Sequence, residues 1–252
     1  MVGCAGCEAV GRPVEDEREV ARVPSVGEIA TVPGGPDVVA PTGIIRGPDD
    51  RVWFTSIGNH RIGRVDPADD SVEVFADPAD RVRLPANIYP GPGGWMWFTS
   101  LGSDRVGRVS VDDPAGSIET FSVDGLDKPV AIKLASDGRI WLTVRGTDTL
   151  VRIDPRAPDP VATVTVIESN LVSAPDGIWR GADGAIWFAN TGARSIGRVD
   201  PDADDVAASV QTFGGAPDIV EPFDIKDGPG GWLWFTDKGA NGLGRIFTGE
   251  AS

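Results

Sequence analysis

The chain has 252 residues, of which 40% are hydrophobic and 24% are charged, the composition of an ordinary globular protein. Its formal net charge of −15 argues against nucleic acid and anionic membrane surfaces as partners, because their phosphates would repel it. The sequence contains no apolar run long enough to span a bilayer and no segment typical of a secretory signal. These features favour a soluble protein. The lack of a visible signal favours the cytoplasm but leaves the compartment open.

The first 23 residues precede the first predicted strand. We expect residues 1–23 to form a solvated arm and residues 24–252 to form a single domain. The arm contains Cys4 and Cys7, but one cysteine pair without further ligands is only a weak indication of metal or redox chemistry. We interpret the two as ordinary thiols.

A four-residue phrase with tryptophan in second place occurs five times, and its Trp residues lie 44, 44, 46 and 47 residues apart. A fixed period of this length indicates stacked or radially arranged copies of one small unit. The five copies are Val52–Thr55, Met96–Thr99, Ile140–Thr143, Ile186–Ala189 and Leu233–Thr236.

The first copy can be interpreted strand by strand. The segments separated by Gly-, Pro-, Asn- and Asp-rich turns alternate apolar and polar residues or are rich in β-branched and aromatic ones. Four antiparallel strands in about 45 residues form the unit of a β-propeller blade. The predicted strands are 41–45, 52–56, 61–65 and 71–75.

The two ends of the repeat region determine whether the ring closes. Residues 27–33 have the pattern of an outer strand without a blade, whereas the fifth copy lacks its outer strand after Arg245. We therefore predict an all-β, five-bladed β-propeller of four-stranded antiparallel blades, closed by pairing of the N-terminal strand with the last blade. The alternative is a shortened form of a larger ring that self-associates to hide its edges.

The repeated Trp and Arg residues suggest a carbohydrate or anion site at first sight. A Trp at one place in every copy is, however, typical of packing between neighbouring blades, and an Arg at one place is typical of bonds to nearby backbone or carboxylates. We interpret both sets as structural. The Arg residues are Arg64, Arg108, Arg152, Arg198 and Arg245.

Functional residues are expected where the copies differ, namely at the start of each inner strand and directly after the tryptophan phrase. Copies four, five and one supply oxygen-bearing side chains there, whereas copies two and three supply mainly small or apolar ones, a combination typical of a small-molecule pocket. The predicted ligand-binding residues are Thr42, Ser56, Asn87, Asp176, Asn190, Asp224 and Asp237.

Carboxylates near the channel could also hold a hard cation, because Mg²⁺ and Ca²⁺ prefer oxygen ligands. The predicted metal ligands are Asp176, Asp224 and Asp237, and the alternative is that each accepts backbone hydrogen bonds in a turn. His60 is the only histidine, so any imidazole base must be His60. The candidate catalytic residues are therefore Asp176, Asp237 and His60.

The recurring phrases Val-Trp-Phe-Thr and Ile-Gly-Arg-Val resemble those of the streptogramin B (virginiamycin B) lyase family of β-propellers over residues 27–248. The resemblance implies binding of a cyclic peptide or lactone-type ligand and a metal-assisted carbon–oxygen lyase reaction. In such lyases Mg²⁺ polarises the ester carbonyl while a histidine removes the α-proton. The family's known lyases have seven blades.

The catalytic pattern of the family is mostly replaced in this chain. Where family lyases carry Glu after the tryptophan phrase, the chain has Ser56, Ser100, Val144, Asn190 and Asp237. Where they carry His at the inner-strand entry, it has Thr42, Ala86, Val130, Asp176 and Phe223. Two alternatives to a lyase therefore remain: a noncatalytic peptide- or protein-binding propeller, and a metal-dependent lactone hydrolase like the gluconolactonase propellers.

Overall fold

The computed structural model describes residues 26–27, 29–215 and 217–250. The predicted arm over residues 1–23, with Cys4 and Cys7, lies outside the described residues. The chain divides into two compact units, Met1–Pro33 and Gly34–Ser252, and all the strands belong to the second. None of the helical segments in the described part is long and apolar enough to cross a membrane.

Nineteen strands form five antiparallel sheets, which confirms the predicted all-β fold and its five blades. Blade 1 contains β1 (Pro41–Arg46), β2 (Val52–Ser56), β3 (Arg61–Asp66) and β4 (Ser71–Phe75). Blade 2 contains β5 (Pro85–Pro90), β6 (Trp95–Ser100), β7 (Arg105–Ser110) and β8 (Glu119–Ser122). Blade 3 contains β9 (Pro129–Leu134), β10 (Ile140–Val144), β11 (Thr149–Ile153) and β12 (Thr165–Glu168).

The last two blades differ in strand number. Blade 4 contains β13 (Pro175–Arg180), β14 (Ile186–Asn190), β15 (Ser195–Val199) and β16 (Gln211–Phe213). Blade 5 contains only β17 (Pro222–Asp227), β18 (Trp232–Asp237) and β19 (Gly242–Phe247). Short 3₁₀ turns occur at Ile57–Asn59, Pro92–Gly94, Val161–Thr163 and Pro229–Gly231.

The predicted closing strand is the one part of the fold prediction that is wrong. The described residues of segment 27–33 form no strand, and β19 has no fourth strand beside it. The inner strands β1, β5, β9, β13 and β17 pack side by side in this order, but within the described residues no comparable packing joins β17 to β1. The blades therefore form an open arc, and its two ends do not meet in one sheet.

The repeated tryptophan of each of the first four blades is buried against the next blade. Trp53, Trp97, Trp141 and Trp187 are at most 3% exposed. Trp53 lies in one apolar cluster with Ile88 of blade 2, and the same relation recurs at each following junction. The structural interpretation of these four residues is confirmed.

Each repeated Trp pairs across the sheet with the repeated Arg of the neighbouring strand. Trp53 lies opposite Arg64, with the guanidinium carbon 5.6 Å from the ring centroid. Arg64 also donates a hydrogen bond to the carbonyl of Val111 in blade 2. The Arg residues thus cover the Trp rings, and Arg64 and Arg152, which donates to the carbonyl of Pro201, also tie one blade to the next.

The threonine of the repeated phrase links two blades through its hydroxyl group. Thr143 Oγ1 accepts a bond from the backbone N–H of Ala131 (3.0 Å) and donates one to the carbonyl of Asp176 in the next blade (2.7 Å). Thr55 and Thr99 make the same two bonds. In blade 5 Thr236 keeps only the bond from Asp224 N and is exposed.

We predict that Thr143→Val lowers the free energy of unfolding by about 2 kcal/mol, because it leaves a buried N–H and a buried carbonyl without their partner. Thr236→Val is the matched control, and its loss should stay below about 1 kcal/mol because water can replace the hydroxyl. Chemical denaturation of both variants measures the difference. Equal losses would show that the inter-blade bond contributes nothing.

Candidate functional site

A cavity of about 350 Å³ lies where the inner strands begin, at one end of the channel. Its size is within the range of small-molecule sites, and it combines an apolar wall with a few polar groups. The apolar wall includes Ile57, Leu101, Val130 and Phe223. The polar groups are Thr42, Asn87, Arg145, Asp176 and Asp224.

An irregularity in the inner strands accounts for the positions of these polar residues. The pairing of β13 with β14 shifts register between Pro175 and Ile178, and the same shift occurs in the other four blades. A bulge of this kind turns side chains away from the regular alternation and is frequent beside functional sites. The two residues after each entry proline can therefore face the cavity.

Asp176 is the one fully buried carboxylate among the cavity residues, with 1% of its side chain exposed. Its Oδ1 accepts a bond from Arg145 Nη1 (3.1 Å), and its Oδ2 accepts one from Thr191 Oγ1 (2.8 Å). Burial raises the pKa of Asp176, and the Thr191 bond and the Arg145 charge oppose this only in part. Asp176 is thus held in place as a hydrogen-bond acceptor.

Asp224 lies at the equivalent entry of blade 5 and is half-exposed. Its Oδ1 accepts bonds from Lys226 Nζ (2.6 Å) and from the backbone N–H of Ile225 (2.9 Å). Thr42, on blade 1, donates its hydroxyl to the carbonyl of Ala86. The structure therefore brings together four of the predicted ligand-binding residues: Thr42, Asn87, Asp176 and Asp224.

The other three predicted residues, Ser56, Asn190 and Asp237, do not line this cavity. Each follows the tryptophan phrase and accepts a hydrogen bond from the backbone that leads into the inner strand of its own blade. The bonds are Val39 N to Ser56 Oγ (2.8 Å), Ser173 N to Asn190 Oδ1 (2.7 Å) and Val220 N to Asp237 Oδ2 (2.9 Å). Ser100 makes the same bond in blade 2.

Asp237 shows how strongly this backbone role affects a carboxylate. Burial acts to raise its pKa, but hydrogen bonds from the backbone N–H groups of Val220, Glu221 and Ala240 outweigh it, and the pKa is lowered. The residue as a whole is only 5% exposed. Asp237 is therefore an anion that organises a loop.

His60 lies in a turn between β2 and β3, in the left-handed conformation with φ of 64°. Its Nδ1 accepts a hydrogen bond from the backbone N–H of Leu84 (3.1 Å). It does not line the cavity. The structure thus gives the imidazole a contact with the backbone that leads into blade 2 and places it outside the cavity lining.

The residues present do not fit the predicted magnesium or calcium ion. Within the described ranges, no three His, Cys, Asp or Glu residues are close enough to hold a cation. Asp176, Asp224 and Asp237 are each engaged by the partners given above and are not gathered around one point. A Ca²⁺ or Mg²⁺ site needs several oxygen ligands around one centre.

A second cavity, of about 500 Å³, lies at the other end of the inner strands. Lys133, only 6% exposed, lies there between two aromatic rings. Its Nζ is 3.3 Å from the ring centroid of Trp179 and 2.7 Å from the hydroxyl oxygen of Tyr89. Sequence reasoning missed this group, although the fifth inner-strand residue varies strongly between blades, from Ile45 to Lys226.

Burial lowers the pKa of Lys133 to about 8. Three charged groups act on it from neighbouring strands: Asp227 raises the pKa, whereas Arg180 and Lys226 lower it. The amine therefore loses its proton in the folded protein at a lower pH than in the unfolded chain, where the ordinary pKa is 10.5. At neutral pH the buried Lys133 amine is charged, and the loss of its hydration lowers the free energy of unfolding.

We predict that the free energy of unfolding rises with pH between about pH 8 and about pH 10.5 through Lys133, because only the unfolded chain then binds its proton. Lys133→Met should remove this rise, whereas the exposed Lys128→Met should keep it. Denaturation midpoints across this window measure the slope. An unchanged slope in Lys133→Met would contradict the assignment.

The virginiamycin B lyase family model matches residues 9–251 of the chain. Comparison with curated proteins gives no match. A catalytically inactive virginiamycin B lyase from Staphylococcus aureus with quinupristin is 28% identical, with a TM-score of 0.71 over 83% of this chain and 67% of that one. A streptogramin B lyase is 27% identical, with a TM-score of 0.70 over 82% and 65%.

More distant structures share the fold alone. A provisionally assigned gluconolactonase is 17% identical, with a TM-score of 0.62 over 87% of this chain and 78% of that one. The chain spans about two thirds of the length of these lyase structures. With its family model matched over nearly the whole sequence, the chain belongs to the virginiamycin B lyase family.

Proposed function

We propose that this propeller binds a small cyclic peptide or lactone-type ligand in the cavity at the entrance of its channel. The observation that carries the proposal is the buried Asp176, held by Arg145 and Thr191 at the edge of a cavity with an apolar wall. The S. aureus lyase structure with quinupristin supports the choice of ligand class.

The cavity offers complementary groups for each part of such a ligand. The guanidinium of Arg145 is 43% exposed and can donate to an ester or amide carbonyl. The half-exposed Asp224 can accept from a ligand N–H. The apolar side chains Leu101, Val130 and Phe223 can contact the ring's hydrophobic substituents.

Binding, rather than metal-assisted elimination, is the function that these residues support. The described cavity residues provide neither an imidazole nor a set of carboxylates that could surround a cation. The family reaction would need a base at the α-proton and a Lewis acid at the ester carbonyl. We therefore assign no bond-breaking step to this cavity.

Calorimetric titration with quinupristin tests the proposal. Arg145→Gln should weaken binding by about tenfold, because it removes one charge-assisted hydrogen bond to the ligand. Asp176→Asn should also weaken binding, because it removes the ion pair that positions Arg145. Asp50→Asn is the control, since its carboxylate is 82% exposed in a turn outside the cavity. The exposed Arg145 keeps the test valid if Asp176→Asn folds poorly. Absence of binding by the unmodified protein would refute the proposal.

Mass spectrometry of the incubated ligand then separates binding from chemistry. An unchanged ligand, in mass and in chromatographic retention, is the expected result. A new species of the same mass would indicate elimination, and a gain of one water would indicate lactone hydrolysis. Either product would contradict the assignment of binding alone.

A further inference from the structure

Four junctions inside this chain are built in the same way. Each blade presents its repeated Trp and an aliphatic residue of its third strand to the next blade. The pairs are Trp53 with Ile62, Trp97 with Val106, Trp141 with Leu150, and Trp187 with Ile196. Every member is at most 3% exposed, because the next blade covers it.

The next blade receives this pair on an isoleucine of its inner strand. Ile88, Ile132, Ile178 and Ile225 occupy this place in blades 2 to 5 and are 0–3% exposed. Each lies in the same apolar cluster as the Trp of the preceding blade. One junction therefore has two different halves, a presenting face and a receiving face.

The two end blades each keep one half of this junction uncovered. On blade 5, Trp234 is 40% exposed and Leu243 is 74% exposed, with Phe247 beside them at 49%. On blade 1, Ile44 is 71% exposed at the receiving position. Exposed apolar faces of this kind mark interaction surfaces in soluble proteins.

We propose that blade 5 of one copy of this chain docks onto blade 1 of a second copy, head to tail. The presenting face of blade 5 and the receiving face of blade 1 are the two halves of a junction that the chain forms four times internally. A second copy supplies the missing half in the same residue types and in the same β-sheet register. This surface is independent of the proposed ligand cavity.

The contact joins different faces of the two copies, so it leaves one free end on each side of a dimer and can add further copies. The formal net charge of −15 opposes association. Salt screens this repulsion, and so association should strengthen as ionic strength rises. The apolar residues of the junction provide the attraction, which salt does not weaken.

Another mode of self-association would use the free edge of β19 instead. Two copies of β19 could pair edge to edge, as uncovered edge strands do. That arrangement is symmetric and uses the same face of both copies, so Ile44 of blade 1 would take no part. The two modes therefore differ in the residues on which they depend.

Light scattering after size-exclusion chromatography, with sedimentation velocity, tests the proposal. The unmodified protein should form dimers and larger species in a concentration-dependent way. Ile44→Asp and Leu243→Asp should each be monomeric. A mixture of these two variants should form a one-to-one dimer, because one retains its presenting face and the other its receiving face.

Leu171→Asp is the control, since Leu171 is 41% exposed but lies in the connection between blades 3 and 4. It should associate like the unmodified protein. Circular dichroism checks the fold of each variant, and Ile44→Thr with Leu243→Thr replaces the pair if an aspartate unfolds it. A monomeric unmodified protein at high salt, a monomeric mixture, or association that survives Ile44→Asp would each overturn the proposal.

Discussion

The burial of one tryptophan per blade against the neighbouring sheet is the constraint on which the structure depends. No blade can cover its own face, so each core is shared between two consecutive repeats. Trp53 is fully buried because Ile88 and its neighbours in blade 2 cover it. Trp234 has the same sequence environment and is 40% exposed, because no sheet formed by the described residues follows it in the arc.

The repeat period made the blades predictable from sequence, but it did not make ring closure predictable. The positions of the strands depend on the local alternation of apolar and polar residues, which the sequence around each repeated Trp shows clearly. Closure depends on the angle between successive blades, which no local pattern encodes. Segment 27–33 has the alternation of a strand, yet alternation alone does not supply a partner edge. In the part of the chain that the structure describes, β19 is unpaired on its outer side.

The residues that differ between copies differ for two separate physical reasons. Ser56, Ser100, Asn190 and Asp237 all provide an oxygen for the same backbone N–H, so several residue types satisfy one structural need. At the entry bulges and at the far channel end, by contrast, no common bond restrains the side chain. Sequence could identify both sets as variable, but only the bonding partners separate them. Lys133 belongs to the second set.

The candidate ligand group is part of the same bonds that hold the arc together. Blade 4 carries Ala189 where blades 1 to 3 carry the linking threonine, so its hydroxyl link to the next blade is missing. Thr191 replaces it with one hydroxyl hydrogen that is shared between the carbonyl of Pro222 in blade 5 and the carboxylate of Asp176. The position of Asp176 therefore depends on the junction between blades 4 and 5. The Thr191 hydroxyl group thus couples the orientation of Asp176 to the packing of blade 5.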